Sequence, residues 1–125
     1  MRISNLMERQ VLRIDEDSTV QRAAEVMGEK HVGSLLVTRG YEDVGIITER
    51  DVLSRVIAKK RSLDEVKVKE VMSHPVITVE KDSNGETVLK TMYEQRVRRV
   101  FVTEEGKIVG IFSTSDITKL ARMNL

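Results

Sequence analysis

The chain of 125 residues contains no cysteine and no tryptophan, only two phenylalanines and two tyrosines, and a single proline. Without cysteine it has neither a disulfide framework nor a thiolate metal site, which is consistent with a reducing cytoplasm. The scarcity of aromatics leaves core formation to Val, Ile, Leu and Met. No sign of charge dominates: 21 Lys and Arg against 20 Asp and Glu give a net charge of +1. That balance offers no global attraction to nucleic acid or an anionic membrane. A basic face interleaved with stacking aromatics is also missing from the sequence. Apolar runs last only a few residues, so no transmembrane helix is expected. The N-terminus reaches Glu8 and Arg9 before any signal-peptide core forms. The expectation is a soluble, cytoplasmic protein.

What the chain does have is itself, twice. The offset that carries Met7 onto Met72 also carries Val11, Asp17, Ser18, Met27, Val37, Gly45, Ile46 and Asp51 onto identical residues. Their partners are Val76, Asp82, Ser83, Met92, Val102, Gly110, Ile111 and Asp116. Each copy is of a size at which a lone core is marginal, so the two halves are expected to share one core. His31 and His74 do not correspond under the offset, and no Cys or second His stands near either. The pair Arg61-Ser62 lacks the glycines of a Walker loop. No metal site and no catalytic constellation emerges, and the chain is expected not to be an enzyme.

Each copy reads in the same order. A β-prone run, Val11–Ile14 and Val76–Val79, is followed by acidic and polar residues. Ser18 and Ser83 are the expected helix N-caps. Val20, Ala23, Ala24 and Met27 then recur at helical spacing, as do Gly85, Val88, Leu89 and Met92. These helices should end near residues 30 and 95. Leu35–Val37 and Val100–Val102 read as buried strands, and turns at Gly40 and Gly106 lead to Val44–Ile47 and Ile108–Phe112. Second helices are predicted over roughly 49–59 and 114–123. Short helical lead-ins, Ile3–Met7 and Val68–Met72, precede the copies, and His74-Pro75 closes the second. The fold class is therefore α+β, two pseudo-symmetric β-α-β-β-α repeats sharing an interface. The first repeat with its lead-in spans 1–60, an exposed linker 61–66, and the second repeat with its lead-in 67–125.

The sequence Gly45-Ile46-Ile47-Thr48-Glu49-Arg50-Asp51 returns as Gly110-Ile111-Phe112-Ser113-Thr114-Ser115-Asp116. With two such motifs in register, each closing the same succession of elements, the chain resembles a tandem cystathionine-β-synthase (CBS) domain pair over about Ile3 to Leu120. The resemblance implies a regulatory module binding AMP, ADP, ATP or S-adenosylmethionine between the copies, with no chemistry on the ligand. It also implies a homodimer reporting metabolite state to a regulated partner.

The residue types suit that role. A glycine at 45 and 110 lets a ligand approach the strand backbone. An ionised carboxylate is acceptor-only and can take hydrogen bonds from two vicinal ribose hydroxyls. The amides of a helix start, with the hydroxyl of Thr48 or Ser113, can help hold a phosphate. Thr-x-x-Asp is equally a capping box, and the two uses are compatible. By the resemblance, Thr48 and Asp51 share a first cleft with Val76, Ile77, Arg98 and Arg99. Ser113 and Asp116 share a second with Val11, Leu12, Gly33 and Ser34. Arg98 and Arg99 present planar donors suited to phosphate oxygens, whereas Gly33 and Ser34 bring no charge. The first cleft is thus expected to prefer phosphorylated ligands. Arg50, Arg55 and Lys119 sit on the final helices as either phosphate contacts or solvated charges. The competing reading is a ligand-free dimerisation or protein-interaction platform, with Ile117–Met123 as a self-association surface.

Overall fold

A computed structural model describes residues 1–116. Strand β1 (Arg13–Asp15), helix α1 (Val20–Lys30), strands β2 (Ser34–Arg39) and β3 (Glu42–Thr48) and helix α2 (Glu49–Val52) make the first repeat. A π-helical turn, Leu53–Ile57, prolongs α2. Helix α3 (Val68–Val71) precedes β4 (Thr78–Glu80), α4 (Gly85–Gln95), β5 (Arg99–Glu104) and β6 (Lys107–Ser113). A 3₁₀ turn at Thr114–Asp116 follows β6; the rest of the helix predicted over 114–123, with Lys119 and Ile117–Met123, lies outside the described residues. Each repeat has one three-stranded sheet, the first strand parallel to the middle one and the last antiparallel to it. Both middle strands shift register at equivalent points, Val37/Thr38 and Val102/Thr103.

The α1 and α4 helices end where periodicity placed them, at Lys30 and Gln95, each closed by a left-handed residue (His31 at φ 55°, Arg96 at φ 57°). Their starts differ from expectation. Thr19 and Asn84, not Ser18 and Ser83, are the N-caps: Thr19 accepts from the Arg22 amide, and Asn84 from the Glu86 and Thr87 amides. Ser18 and Ser83 are drawn one residue back into turns in which their amides donate to Asp15 and Glu80. Their carbonyls accept from Val68 and Ile3, both at 2.8 Å.

Those last two bonds reveal the organisation. The chain divides into two compact units, Leu12–Val76, and Met1–Val11 with the chain from Ile77 onward. Each unit therefore contains one repeat's sheet and the other repeat's lead-in. Val20 N donates to Val66 O, and Gly85 N to Met1 O. Ser73 exchanges both backbone bonds with Ile46, and Glu8 does the same with Ile111. Among the described residues the expected single shared core is two clusters, one per unit, because the lead-in that seals each sheet comes from the other repeat. Val66, Val68 and Val71 enter a cluster with Ile14, Val20, Leu35 and Ile47. Ile3 and Leu6 enter one with Val88, Met92, Val100 and Phe112.

Gly45 and Gly110 serve this docking. A Cβ at Gly45 would meet Met72 Sδ and the Ser73 carbonyl, both at 2.8 Å. One at Gly110 would meet Met7 Sδ and, at 3.0 Å, the Glu8 carbonyl. What these glycines admit is the incoming lead-in, not a ligand. The Gly85-for-Val20 difference is balanced the same way. A Cβ at Gly85 would lie 3.0 Å from Leu6 Cδ1, and the residue matching Leu6 is the smaller Val71.

Ion pairs hold the second lead-in at its edge. Lys69 Nζ lies 2.9 Å from Asp17, and the Lys67 amide donates to Glu70 at 2.7 Å. The Lys69 hydrogen bond and charge hold the Asp17 carboxyl below its ordinary range, while the Lys67 amide and then Arg61 do so for Glu70. Within each sheet the outer turn is tied by a pair of opposite polarity. Buried Glu16 bonds Arg39 in one, and Lys81 bonds Glu104 in the other.

Gly45→Ala is expected to destabilise the protein by about 1–3 kcal/mol, since backbone must move to admit one methyl, as urea denaturation would measure. Asp17 and Glu70 ionise more readily folded than unfolded, so their stabilisation is complete above the unfolded carboxylate range, about pH 4. It is lost as the pH falls through their lower folded values. Melting temperature against pH should accordingly fall less steeply in acid for Asp17→Asn than for the parent chain.

Candidate functional site

The two strand-to-helix junctions carry the motif residues. β3 runs straight into α2 at Thr48, whose extended backbone (φ −119°) turns the chain into the helix. Thr48 Oγ1 accepts from the Asp51 amide at 3.1 Å, and Asp51 Oδ2 accepts from the Thr48 amide at 3.0 Å. The capping box is thus closed in both directions. The Glu49 amide donates to Gly33 O, and the sheet register sets Ser34 opposite Thr48. Gly33, Ser34, Thr48 and Asp51 therefore lie together at one end of the first repeat's sheet. Leu12 belongs to that unit through its carbonyl, which accepts from Leu36.

The second junction repeats the plan. The Ser113 amide donates to Asp116 Oδ2 at 2.9 Å, and Ser113 Oγ donates to the same oxygen at 3.2 Å. The Thr114 amide donates to Arg98 O, and Arg99 stands opposite Ser113. Arg98, Arg99, Ser113 and Asp116 thus lie together at the equivalent end of the second repeat's sheet. Ile77 joins that unit through its carbonyl, an acceptor for Phe101. Val11 and Val76 mark the boundaries at which the chain leaves one unit for the other.

Both carboxylates are buried, Asp51 to 7% and Asp116 to 9% exposure. A buried carboxylate is tolerated only where donors satisfy it. Asp51 has more than its cap. Its Oδ1 accepts from Ser73 Oγ at 3.1 Å and lies 3.8 Å from Arg55 Nε. Arg55 Nη1 in turn donates to the carbonyls of Val71 and Met72 at 3.1 and 3.3 Å. Arg55 is therefore neither a free helix charge nor a ready phosphate contact. Ser73 escaped the sequence reading because its counterpart under the offset is Glu8, so duplication does not flag it. Arg98 and Arg99 make no side-chain ion pair or hydrogen bond among the described residues; Glu104, a possible partner by sequence, is taken by Lys81.

A second feature lies in the Leu12–Val76 unit. A pocket of about 480 Å³ opens between α1 and the α2 region, lined by Ala24, Met27, Gly28, Val32, Val52 and Leu53 among others. Leu53 and Ile57 beside it are 61% and 49% exposed. Among the described residues, no helix is long and apolar enough to cross a membrane.

The described residues form two repeats of one plan, with a capped, buried carboxylate at each strand-to-helix junction, which defines a tandem module. The chain belongs to the CBS domain family, whose sequence model matches residues 3–58 and 68–122. It is 34% identical over 120 residues to an uncharacterized protein of Methanopyrus kandleri, covering 94% of this chain and 61% of that one. The chain thus spans less than two thirds of that relative. Among solved structures, an uncharacterized conserved protein from Pyrococcus horikoshii superposes with a TM-score of 0.90 at 34% identity, covering 97% and 92% of the two chains. A CBS domain protein from Pyrobaculum aerophilum complexed with AMP superposes with a TM-score of 0.83 at 26% identity, covering 98% and 99%.

Proposed function

We propose that this chain is a non-catalytic sensor of adenosine-containing ligands, AMP, ADP, ATP or S-adenosylmethionine, that transmits ligand state to a regulated protein in the cytoplasm. The observation that carries this reading is the pair of buried carboxylates, Asp51 and Asp116, each held at a strand-to-helix junction by backbone amides. A carboxylate oxygen has two lone-pair directions, so capping leaves acceptor capacity for ribose hydroxyls. The AMP complex of the Pyrobaculum aerophilum relative supports the ligand class. Following the family resemblance, Thr48 and Asp51 act with Val76, Ile77, Arg98 and Arg99, and Ser113 and Asp116 with Val11, Leu12, Gly33 and Ser34. The guanidinia of Arg98 and Arg99, which have no side-chain partner among the described residues, favour phosphorylated ligands at the first of these.

The second reading, an interaction platform, is favoured by the apolar pocket beside α1 and the exposed Leu53 and Ile57. We assign that surface to a second copy of the chain, so that sensing and dimerisation are compatible uses of one molecule. Stable interfaces between copies of one chain are more apolar than contacts with transient partners, which suits this surface.

Isothermal titration calorimetry with AMP, ADP, ATP and S-adenosylmethionine is expected to give saturable binding by the parent chain, with the first site's share of that binding lost in Asp51→Ala. Melting curves check that the variant, short of one helix cap worth about 1 kcal/mol, stays folded. Replacing Arg98 and Arg99 together by Ala should weaken AMP by about tenfold, the scale of a lost charge-assisted hydrogen bond, and leave adenosine nearly unchanged. Leu53→Glu should convert a dimer to a monomer by light scattering; an unchanged mass would remove that surface from the interface.

A further inference from the structure

Ser73 stands at a point where the candidate nucleoside carboxylate and the chain segment joining the repeats become one hydrogen-bonded unit. Its backbone is fixed by two bonds to Ile46, donating to Ile46 O at 2.8 Å and accepting from Ile46 N at 2.9 Å. The side chain therefore has a set origin, and from it the hydroxyl donates to Asp51 Oδ1 at 3.1 Å. The Thr48 amide holds the other oxygen at 3.0 Å. A donor on each oxygen fixes both the position and the plane of the carboxylate, and leaves a lone pair on each for two adjacent hydroxyls. Arg55 closes the ring, with Nε 3.8 Å from Asp51 Oδ1 and Nη1 on the carbonyls of Val71 and Met72. One serine and one arginine thus tie Asp51 to the lead-in that seals the first repeat's sheet.

The second repeat carries different residue types at both matching positions. Glu8 makes the same two backbone bonds, with Ile111, that Ser73 makes with Ile46. An ionised carboxylate there accepts only, so it cannot donate to Asp116 as Ser73 does to Asp51. The residue matching Arg55 is Leu120, with no donor at all.

We propose that Ser73 is a positioning residue for Asp51, and that through it nucleoside occupancy of the first site is coupled to docking of the Val66–Ser73 segment. The inference rests on the nucleoside reading above. A ligand that engages Asp51 meets a carboxylate already oriented, and its hydrogen bonds reinforce the Ser73 and Arg55 contacts holding the lead-in. Coupling of this kind is reciprocal: whatever loosens the segment weakens the ligand, and ligand tightens the segment. In the first repeat, occupancy reaches the lead-in by this route.

The test uses the full chain as parent, Ser73→Ala, Ser73→Thr and Asp51→Ala. Each is titrated with AMP, ADP, ATP and S-adenosylmethionine, and hydrogen exchange of amides 68–73 is followed with and without ligand. We expect Ser73→Ala to bind roughly five- to twentyfold more weakly, the range of a modest coupling. It should also lose the ligand-induced protection of the segment, and Ser73→Thr should restore both. Parent-like affinity and protection in Ser73→Ala, beside lost first-site binding in Asp51→Ala, overturns the positioning role and leaves the nucleoside site standing. A parent chain that binds none of the four ligands overturns both. Should Ser73→Ala melt early, a Ser73→Thr variant that retains stability but not affinity also overturns the proposal.

Discussion

The structure depends on one constraint: each repeat's sheet is sealed by the lead-in of the other. The mutual backbone bonds of Ser73 with Ile46, and of Glu8 with Ile111, are the closest points of that exchange. They are possible because Gly45 and Gly110 present no side chain to the arriving carbonyls. Everything else follows from this crossing. It supplies three apolar residues to one core and two to the other, displaces the helix caps by one position, and brings Ser73 to Asp51. Neither repeat closes its own core. The duplication is therefore obligatory as a pair, and a single copy would leave an apolar sheet face open.

Much of this organisation was legible in sequence. The strand and helix order, the helix ends at Lys30 and Gln95 and the junction residues all follow from periodicity and from the repeated motif. What periodicity does not carry is the identity of a backbone partner. Ser18 reads as a cap by type and place, yet its amide is committed to Asp15 and Thr19 takes the role. Gly45 reads as a site of close approach, which it is, but nothing in the strand itself says that the approaching group is the chain's own Ser73. The count of cores failed for the same reason, since exchange of lead-ins is a long-range event that local patterns do not record.

The same limit applies at the site. Thr48, Asp51, Ser113 and Asp116 declare themselves because the motif occurs twice. Ser73 does not, because asymmetry is invisible to an argument from duplication. Arg55 looked like a solvated helix charge, and its carbonyl contacts and its pairing with Asp51 separate it from Arg50. The residues that differ between copies distinguish the two candidate sites, while those that agree define what the two junctions have in common.

Two repeats of the same strand order in one chain also face a problem of self-recognition during folding, because either sheet offers a plausible home to strands of the other. The tie between Glu16 and Arg39 in one half, and between Lys81 and Glu104 in the other, has its polarity reversed. Were β1 to pair with β5, Glu16 would meet Glu104; were β4 to pair with β2, Lys81 would meet Arg39. The packing sizes discriminate in parallel: Leu6 against Val20 would crowd, and Val71 against Gly85 would leave a void. Each mistaken pairing meets repulsion between like charges or a misfit of volume, so the halves are not interchangeable where interchange would trap the chain.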